Sequence, residues 1–314
     1  PATVAALGRL CHPELQRAGY SEKFSLGLIA SSSECALLIP PSITLIIYGW
    51  ITGTSIAALF AGGLAVGIVL GVAFMALVQW ETWRVAARRG DKPQRGERLA
   101  ALGAGAWALG LPVVILGGIY SGFFTATEAA AVAVAYAIFI EMAVYRAIGW
   151  RDLIRIAELS AVAVSTIFVL LAMGALLAHF VVLADLPRIA LEVVRALNMN
   201  WVGFLLFVNV LLLVAGMFID PNSILLLFVP TLYPVATALG IDPVHFGLLV
   251  TLNISIGMIT PPFGLDLFVA ASTLNRPVET VIGGIWRFVL VNLAVLALIT
   301  YVPAISTALP KLLL

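Results

Sequence analysis

Apolar runs long enough to cross a bilayer alternate with short polar or basic stretches along most of the 314-residue chain. A spanning helix needs about 20 mostly apolar residues, and runs at 56–80, 99–119, 126–145, 159–183, 201–219, 223–239 and 279–303 are candidates. Two further apolar segments, 24–49 and 244–274, are each split by a proline pair, Pro40-Pro41 and Pro261-Pro262. The arms on either side hold about 10–15 residues, which is short for a span. A proline removes a backbone donor and clashes with the preceding turn, so a pair at membrane depth frees amides and carbonyls from the helix ladder. Such groups persist in hydrocarbon only when buried in protein or facing water, an ion or a solute. The pattern predicts an all-α polytopic membrane protein with two re-entrant helical hairpins, each followed by a full helix.

The two split segments can be laid on each other. Placing Pro40 on Pro261 gives an offset that also sets Ser21 on Asp242, both expected as helix N-caps. Weak identity with breaks in register is the signature of divergent inverted repeats, the device by which secondary transporters assemble midplane binding sites. The expected organisation is a first repeat region over 1–145, an interfacial connecting helix over 146–158, and a second repeat region over 159–314.

Composition and charge agree with a membrane protein and exclude other classes. Hydrophobic residues make up 62% of the chain and charged residues 11%, with a mean hydropathy of +1.11. A net charge of +1, with basic residues in short clusters beside apolar spans, argues against a nucleic-acid partner. Arg84, Arg88, Arg89, Lys92, Arg95 and Arg98 form one such cluster, and Arg146, Arg151 and Arg155 a second, two spans later. Both belong on the cytoplasmic side by the positive-inside rule. Trp50, Trp80, Trp83, Trp150 and Trp201 stand near span ends, as an interfacial aromatic belt would. Cys11 and Cys35 give no disulfide framework. The chain opens Pro1-Ala2-Thr3, without an initiator Met, so further residues are expected ahead of it.

Polar residues concentrate at the breaks. Ser31, Ser32, Ser33 and Glu34 precede the first proline pair and Ser42 follows it; Asn253, Ser255, Gly257 and Thr260 precede the second. Hydroxyls, amide oxygens and unwound carbonyls are hard ligands suited to Na⁺, and half-helix N-termini favour an anionic solute. The plainer reading is that Ser and Thr bond back to the preceding turn while Asn bridges helices. Thr125 and Glu128 have the spacing of a capping box, yet Glu128 is also an ionisable group beside a span and thus an ion-site or charge-network candidate. Asp220 before Pro221 reads as an N-cap or as a carboxylate facing a permeation path. No phosphate loop, metal-spaced cluster or nucleophile triad is present in the sequence, so no enzyme chemistry and no organic cofactor are expected.

Four motifs then carry a family resemblance: Leu38-Ile39-Pro40-Pro41-Ser42-Ile43, Gly122-Phe123-Phe124-Thr125-Ala126-Thr127-Glu128-Ala129-Ala130-Ala131, Asp242-Pro243-Val244-His245-Phe246-Gly247, and Gly257-Met258-Ile259-Thr260-Pro261-Pro262-Phe263-Gly264. The chain resembles, over essentially its whole length, the large membrane subunit of tripartite ATP-independent periplasmic (TRAP) transporters of the DctM-like, dicarboxylate-importer type. The resemblance implies an elevator-type importer in a bacterial inner membrane, coupled to Na⁺. Its implied partners are a small TRAP membrane subunit, a periplasmic substrate-binding protein and an organic acid. Carried over motif by motif, the implied Na⁺ ligands are Ser32, Ser33, Asn253, Ser255, Gly257 and Thr260, and also Thr125 and Thr127. Glu34, Pro40, Pro41, Ser42, Glu128, Asp220, Pro261 and Pro262 are the substrate or coupling candidates. Two departures from the family pattern fall in the first break, where Ala36 replaces the usual Gly and Glu34 a hydroxyl or small residue. A single-component Na⁺/anion symporter without a binding protein is the competing reading.

Overall fold

The computed structural model describes residues 2–85 and 95–314, and every regular element among them is helical. In chain order these are α1 (Ala2–Arg17), α2 (Glu22–Ser32), α3 (Cys35–Leu38), α4 (Ile43–Thr52), α5 (Ile56–Arg84), α6 (Arg95–Tyr120), α7 (Ala126–Phe139), α8 (Trp150–Leu183), α9 (Leu186–Ala196), α10 (Trp201–Gly216), α11 (Pro221–Ala238), α12 (Pro243–Ile259), α13 (Leu265–Leu274), α14 (Val278–Tyr301) and α15 (Ala304–Leu313). A π-helical turn, Ile140–Val144, continues α7. Among the described residues, six stretches are long and apolar enough to cross a membrane, including Ile56–Arg84, Trp150–Leu183 and Val278–Tyr301. Of the first basic cluster, Arg88, Arg89 and Lys92 lie outside the described residues.

Contacts divide the chain into two compact units, one made of the segments 1–89 and 174–313 and the other of 90–173. This division is by packing and is distinct from the expected repeat regions. In the first unit α12 is the central helix, buried on every side from His245 to Ile259. A helix apolar all round demands that position, and α5, α10, α11 and α14 surround it. A second layer joins α1, α2, α13 and α14 around Leu26, Ile29, Ile259, Leu267 and Ile285. The halves exchange partners: α2 packs on α14, and α12 packs on α5.

Glycine permits the closest approach. A Cβ on Gly27 would strike the carbonyl oxygen of Gly284, and one on Gly284 would strike that of Lys23, so α2 and α14 meet backbone to backbone. Such small-residue contacts are the means by which membrane helices associate where lipid supplies no hydrophobic drive.

In the second unit α6 packs on α7, and Tyr136 donates its hydroxyl to the Trp107 carbonyl at 2.8 Å. Of the segment expected as an interfacial helix, residues 150–158 form the first turns of the 34-residue α8. An amphipathic helix not anticipated from the sequence lies at α9, where Arg188 pairs with Asp185 and Glu192 while Ile189 and Val193 stand exposed on apolar turns. Exposed apolar side chains are frequent elsewhere too, among them Val162, Phe168 and Met173 on α8. Together with exposed Trp50, Trp80, Trp83, Trp150 and Trp201, they form the surface that a lipid-facing protein requires.

Candidate functional site

Both predicted breaks are present, each built from an arm, a non-helical step and a second arm. Ser21 accepts from the Phe24 amide to open α2, and Asp242 accepts from the amides of Val244 and His245 to open α12. The first break begins where α2 ends at Ser32 and continues through a turn at Ser33-Glu34 and the one-turn α3. Ile39, Pro40 and Pro41 then lead to Ser42, which caps α4 by accepting from Leu45 and donates its hydroxyl to the Leu37 carbonyl. In the second break Thr260 ends α12, with its hydroxyl on the Ile256 carbonyl at 2.6 Å. Pro261, Pro262 and Phe263 follow, and Gly264 precedes α13. Both Pro-Pro bonds are cis. The second arms find most of their packing elsewhere, α4 on α11 and α13 on α1 and α14; these contacts define broken helices and leave the hairpin geometry an expectation.

The two breaks meet. Ser33 Oγ donates to Asp266 Oδ2 at 2.6 Å, joining positions 233 residues apart in the chain. Glu34, beside Ser33, is fully buried and its Oε1 accepts from Asn292 Nδ2 of α14 at 3.2 Å. Ser31, Ser33, Asp266 and Asn292 are also buried. Three oxygens of this group have no hydrogen-bond partner: Ser31 Oγ, Glu34 Oε2 and Asn292 Oδ1. A buried polar atom left so carries a desolvation cost of about 1–3 kcal/mol, and such oxygens are hard-ligand chemistry.

A second polar chain crosses the centre of the same unit. Asn253 Nδ2 donates to Asn209 Oδ1 at 2.8 Å, and Asn209 Nδ2 donates to Thr300 Oγ1 at 3.0 Å, linking α12, α10 and α14. Asn253 Oδ1 remains without a partner. Gly257 faces Gly216 so closely that a Cβ on it would come within 2.5 Å of the Gly216 Cα. Ser255 is buried and bonds back to the Leu252 carbonyl at 2.8 Å. Ser32 bonds back to Leu28 at 2.6 Å and opens instead onto a cavity of about 440 Å³ shared with Cys35, Phe74 and Gln79.

The remaining candidates are placed differently. Thr125, Thr127 and Glu128 belong to the second unit and are exposed; Thr125 and Glu128 form a reciprocal capping box that opens α7. Asp220 caps α11, accepting from the amides of Asn222 and Ser223 and from the Ser223 hydroxyl. Arg276 pairs with Glu22 at 2.5 Å, and Arg287 with buried Glu81 at 2.7 Å while stacking over Trp80. Both arginines are thus engaged by carboxylates of the chain itself. His245 is buried, with Nδ1 2.7 Å from Ser306 Oγ.

Three residues of these two polar groups were not singled out from the sequence: Asp266 and Asn292 where the breaks meet, and Asn209 in the second chain. A signal existed for the first, since a carboxylate in the apolar arm 265–274 is an intramembrane ionisable group. Asn292 interrupts the apolar run of α14 in the same way.

The profile of the tripartite ATP-independent periplasmic transporter DctM component matches residues 1–305. A C4-dicarboxylate TRAP transporter large permease protein of Rhodobacter capsulatus is 38% identical over the whole chain and 74% of its own length. An ectoine TRAP transporter large permease protein of Halomonas elongata is 39% identical over 97% of the chain and 71% of its own length. A sialic acid TRAP transporter large permease protein of Vibrio cholerae is 36% identical over the whole chain and 73% of its own length. These relatives are transporter subunits of the inner membrane and not enzymes, and the broken helices, the apolar surface and the matched length agree in one assignment. The chain belongs to the DctM family, the large membrane component of tripartite ATP-independent periplasmic transporters.

Proposed function

We propose that this large subunit imports an organic acid by a Na⁺-coupled, elevator-type mechanism, receiving its cargo from a periplasmic substrate-binding protein and working with a small TRAP membrane subunit. The observation that carries the reading is the Ser33–Asp266 hydrogen bond at 2.6 Å, which ties the two broken helices into one polar locus inside a buried core. Broken helices expose backbone dipoles and oxygens where an ion or a charged solute can use them, and their duplication lets two repeats share one such site. Na⁺ suits the oxygens present at the breaks: the hydroxyls of Ser33 and Thr260, the free amide oxygen of Asn253, and the carboxylates. Coupling then follows from differential affinity, with Na⁺ organising the breaks so that solute and ion favour one state together.

Relatives named for C4-dicarboxylate, ectoine and sialic acid lie at comparable identity, so likeness favours no one cargo among them. The arginines near the second break are occupied by Glu22 and Glu81, and an incoming carboxylate is left to hydroxyls, backbone amides and helix N-termini.

The test is solute uptake into proteoliposomes holding the full-length chain with its small subunit, with the binding protein added outside. An imposed Na⁺ gradient is compared with K⁺ replacement. Uptake that needs both Na⁺ and the binding protein is expected. Uptake without the binding protein would establish the single-component symporter instead, and uptake indifferent to Na⁺ would remove the coupling claim.

A further inference from the structure

We infer that α5 and α14 hold one anionic phospholipid on the surface of the first unit, its phosphate at Arg84 and Arg287 and an acyl chain in the furrow beside them. The furrow measures about 390 Å³, and its lining includes Ala76 and Leu77 of α5 and Val291, Ala294 and Leu298 of α14. All five stand partly or fully open to the outside.

Head and furrow form one continuous surface. The two helices run antiparallel, since Phe74 meets Phe288 while Glu81 meets Arg287. Ala73, Leu77, Trp80 and Arg84 follow one another at spacings of three and four and share a face of α5; Arg287, Val291, Ala294 and Leu298 do the same on α14. From Arg287 to Leu298 the helix rises about 16 Å, the depth of one leaflet in a hydrocarbon core of about 30 Å. The small side chains of Ala73, Ala76 and Ala294 leave the room that a chain of methylenes needs.

The polar end carries surplus positive charge. Buried Glu81 pairs with Arg287 at 2.7 Å and with Arg84 at 3.6 Å, so among the described residues one carboxylate is set against two guanidiniums. A protonated Glu81 would only raise the surplus. The negative end of the α5 dipole, at Arg84, offsets about half a charge and leaves the pair cationic. The Arg84 and Arg287 side chains remain 52% and 41% exposed, and a guanidinium presents its donors in a fork that matches phosphate oxygens. Trp80 lies under Arg287, 5.9 Å from guanidinium carbon to ring centre, and its indole is exposed as an interfacial one is. By the positive-inside rule this end faces the cytoplasmic leaflet, where anionic lipids attract basic side chains. A zwitterionic headgroup would leave the surplus charge unmatched.

The experiment is native mass spectrometry of the delipidated full-length assembly in detergent, titrated with dioleoyl phosphatidylglycerol or dioleoyl phosphatidylcholine. Wild type is compared with Arg84→Gln, which removes charge from an exposed side chain, and Ala294→Trp, which fills the furrow from an exposed position. One phosphatidylglycerol per chain is expected to bind at least about fivefold more tightly than phosphatidylcholine, the worth of about one basic residue at a lipid surface. Arg84→Gln should abolish that preference, and Ala294→Trp should weaken both lipids alike. Unfolding midpoints check that each variant is folded, and either variant alone decides. Equal affinity for the two lipids in wild type, or wild-type binding in a folded variant, would overturn the site. Competition by glycerol 1-phosphate at the lipid's own concentration would reassign it to a soluble anion. A photoreactive residue placed at position 294 should attach lipid; attachment of the small subunit would give the furrow to a protein partner instead.

Discussion

Ser33 Oγ lies 2.6 Å from two acceptors, the Ala30 carbonyl and Asp266 Oδ2, and has one proton to divide between them. Replacing it by Ala removes the donor to a buried carboxyl, so Ser33→Ala is expected to destabilise by about 1–3 kcal/mol, read as a lower unfolding midpoint in detergent. Unchanged stability would show that the contact between the breaks carries little energy. Gly257, carried over by family likeness as an ion ligand, has an independent steric role against Gly216. Gly257→Ala is expected to cost about 1–3 kcal/mol by forcing α10 from α12, and the loss should be the same in Na⁺ and in K⁺. A loss confined to Na⁺ would favour the ligand role instead. At this scale the sequence was informative where a residue type has one common use. Ser21, Asp242, Thr125 and Glu128 cap helices as their spacing said. It was silent on Asp266 and Asn292, whose significance is a partner hundreds of positions away.

Among elements, α5 and α14 are joined by a ring contact between Phe74 and Phe288 and by an ion pair with one buried member. Glu81 is 3% exposed and holds Arg287 at 2.7 Å, with Arg84 farther off at 3.6 Å. Removing the arginine leaves a buried carboxylate with a distant partner, so Arg287→Ala is expected to destabilise by about 2 kcal/mol, less than a fully buried pair because the arginine is partly exposed. Adding Glu81→Leu in the same chain should recover most of that loss; failure to recover it would place the effect in the arginine's stacking on Trp80 rather than in the charge. Element positions were legible because apolar length speaks plainly: the run at 56–80 lies within α5 and that at 279–303 overlaps α14. The amphipathic α9 was not legible, since its eleven residues are mixed in polarity and fall below the length that marks a span. Likewise the polar start of α8, Trp150 to Glu158, gives no hint that it continues without interruption into the apolar helix that follows.

For the whole molecule, a bound ion that selects the folded form raises stability by mass action, by about 2.7 kcal/mol at a hundredfold excess over its dissociation constant. On the Na⁺-coupled reading, the assembly should therefore unfold at a higher temperature in NaCl than in KCl of equal ionic strength. Identical midpoints would count against an ion held in the ground state. The all-α membrane class was readable from composition and run length alone, and the duplicated breaks from the two proline pairs. How the halves interlock was not, because α2 against α14 and α12 against α5 are pairings between distant segments that no local pattern encodes. The Ser33–Asp266 link has a consequence for biogenesis. When the first half of the chain leaves the ribosome and enters the bilayer, Glu34 has neither Asn292 nor the α14 surface that will cover it. The insertion machinery, lipid headgroups or water must shelter that carboxyl until translation has delivered the second half, and a chain halted after α11 should be recognised as unfinished and degraded.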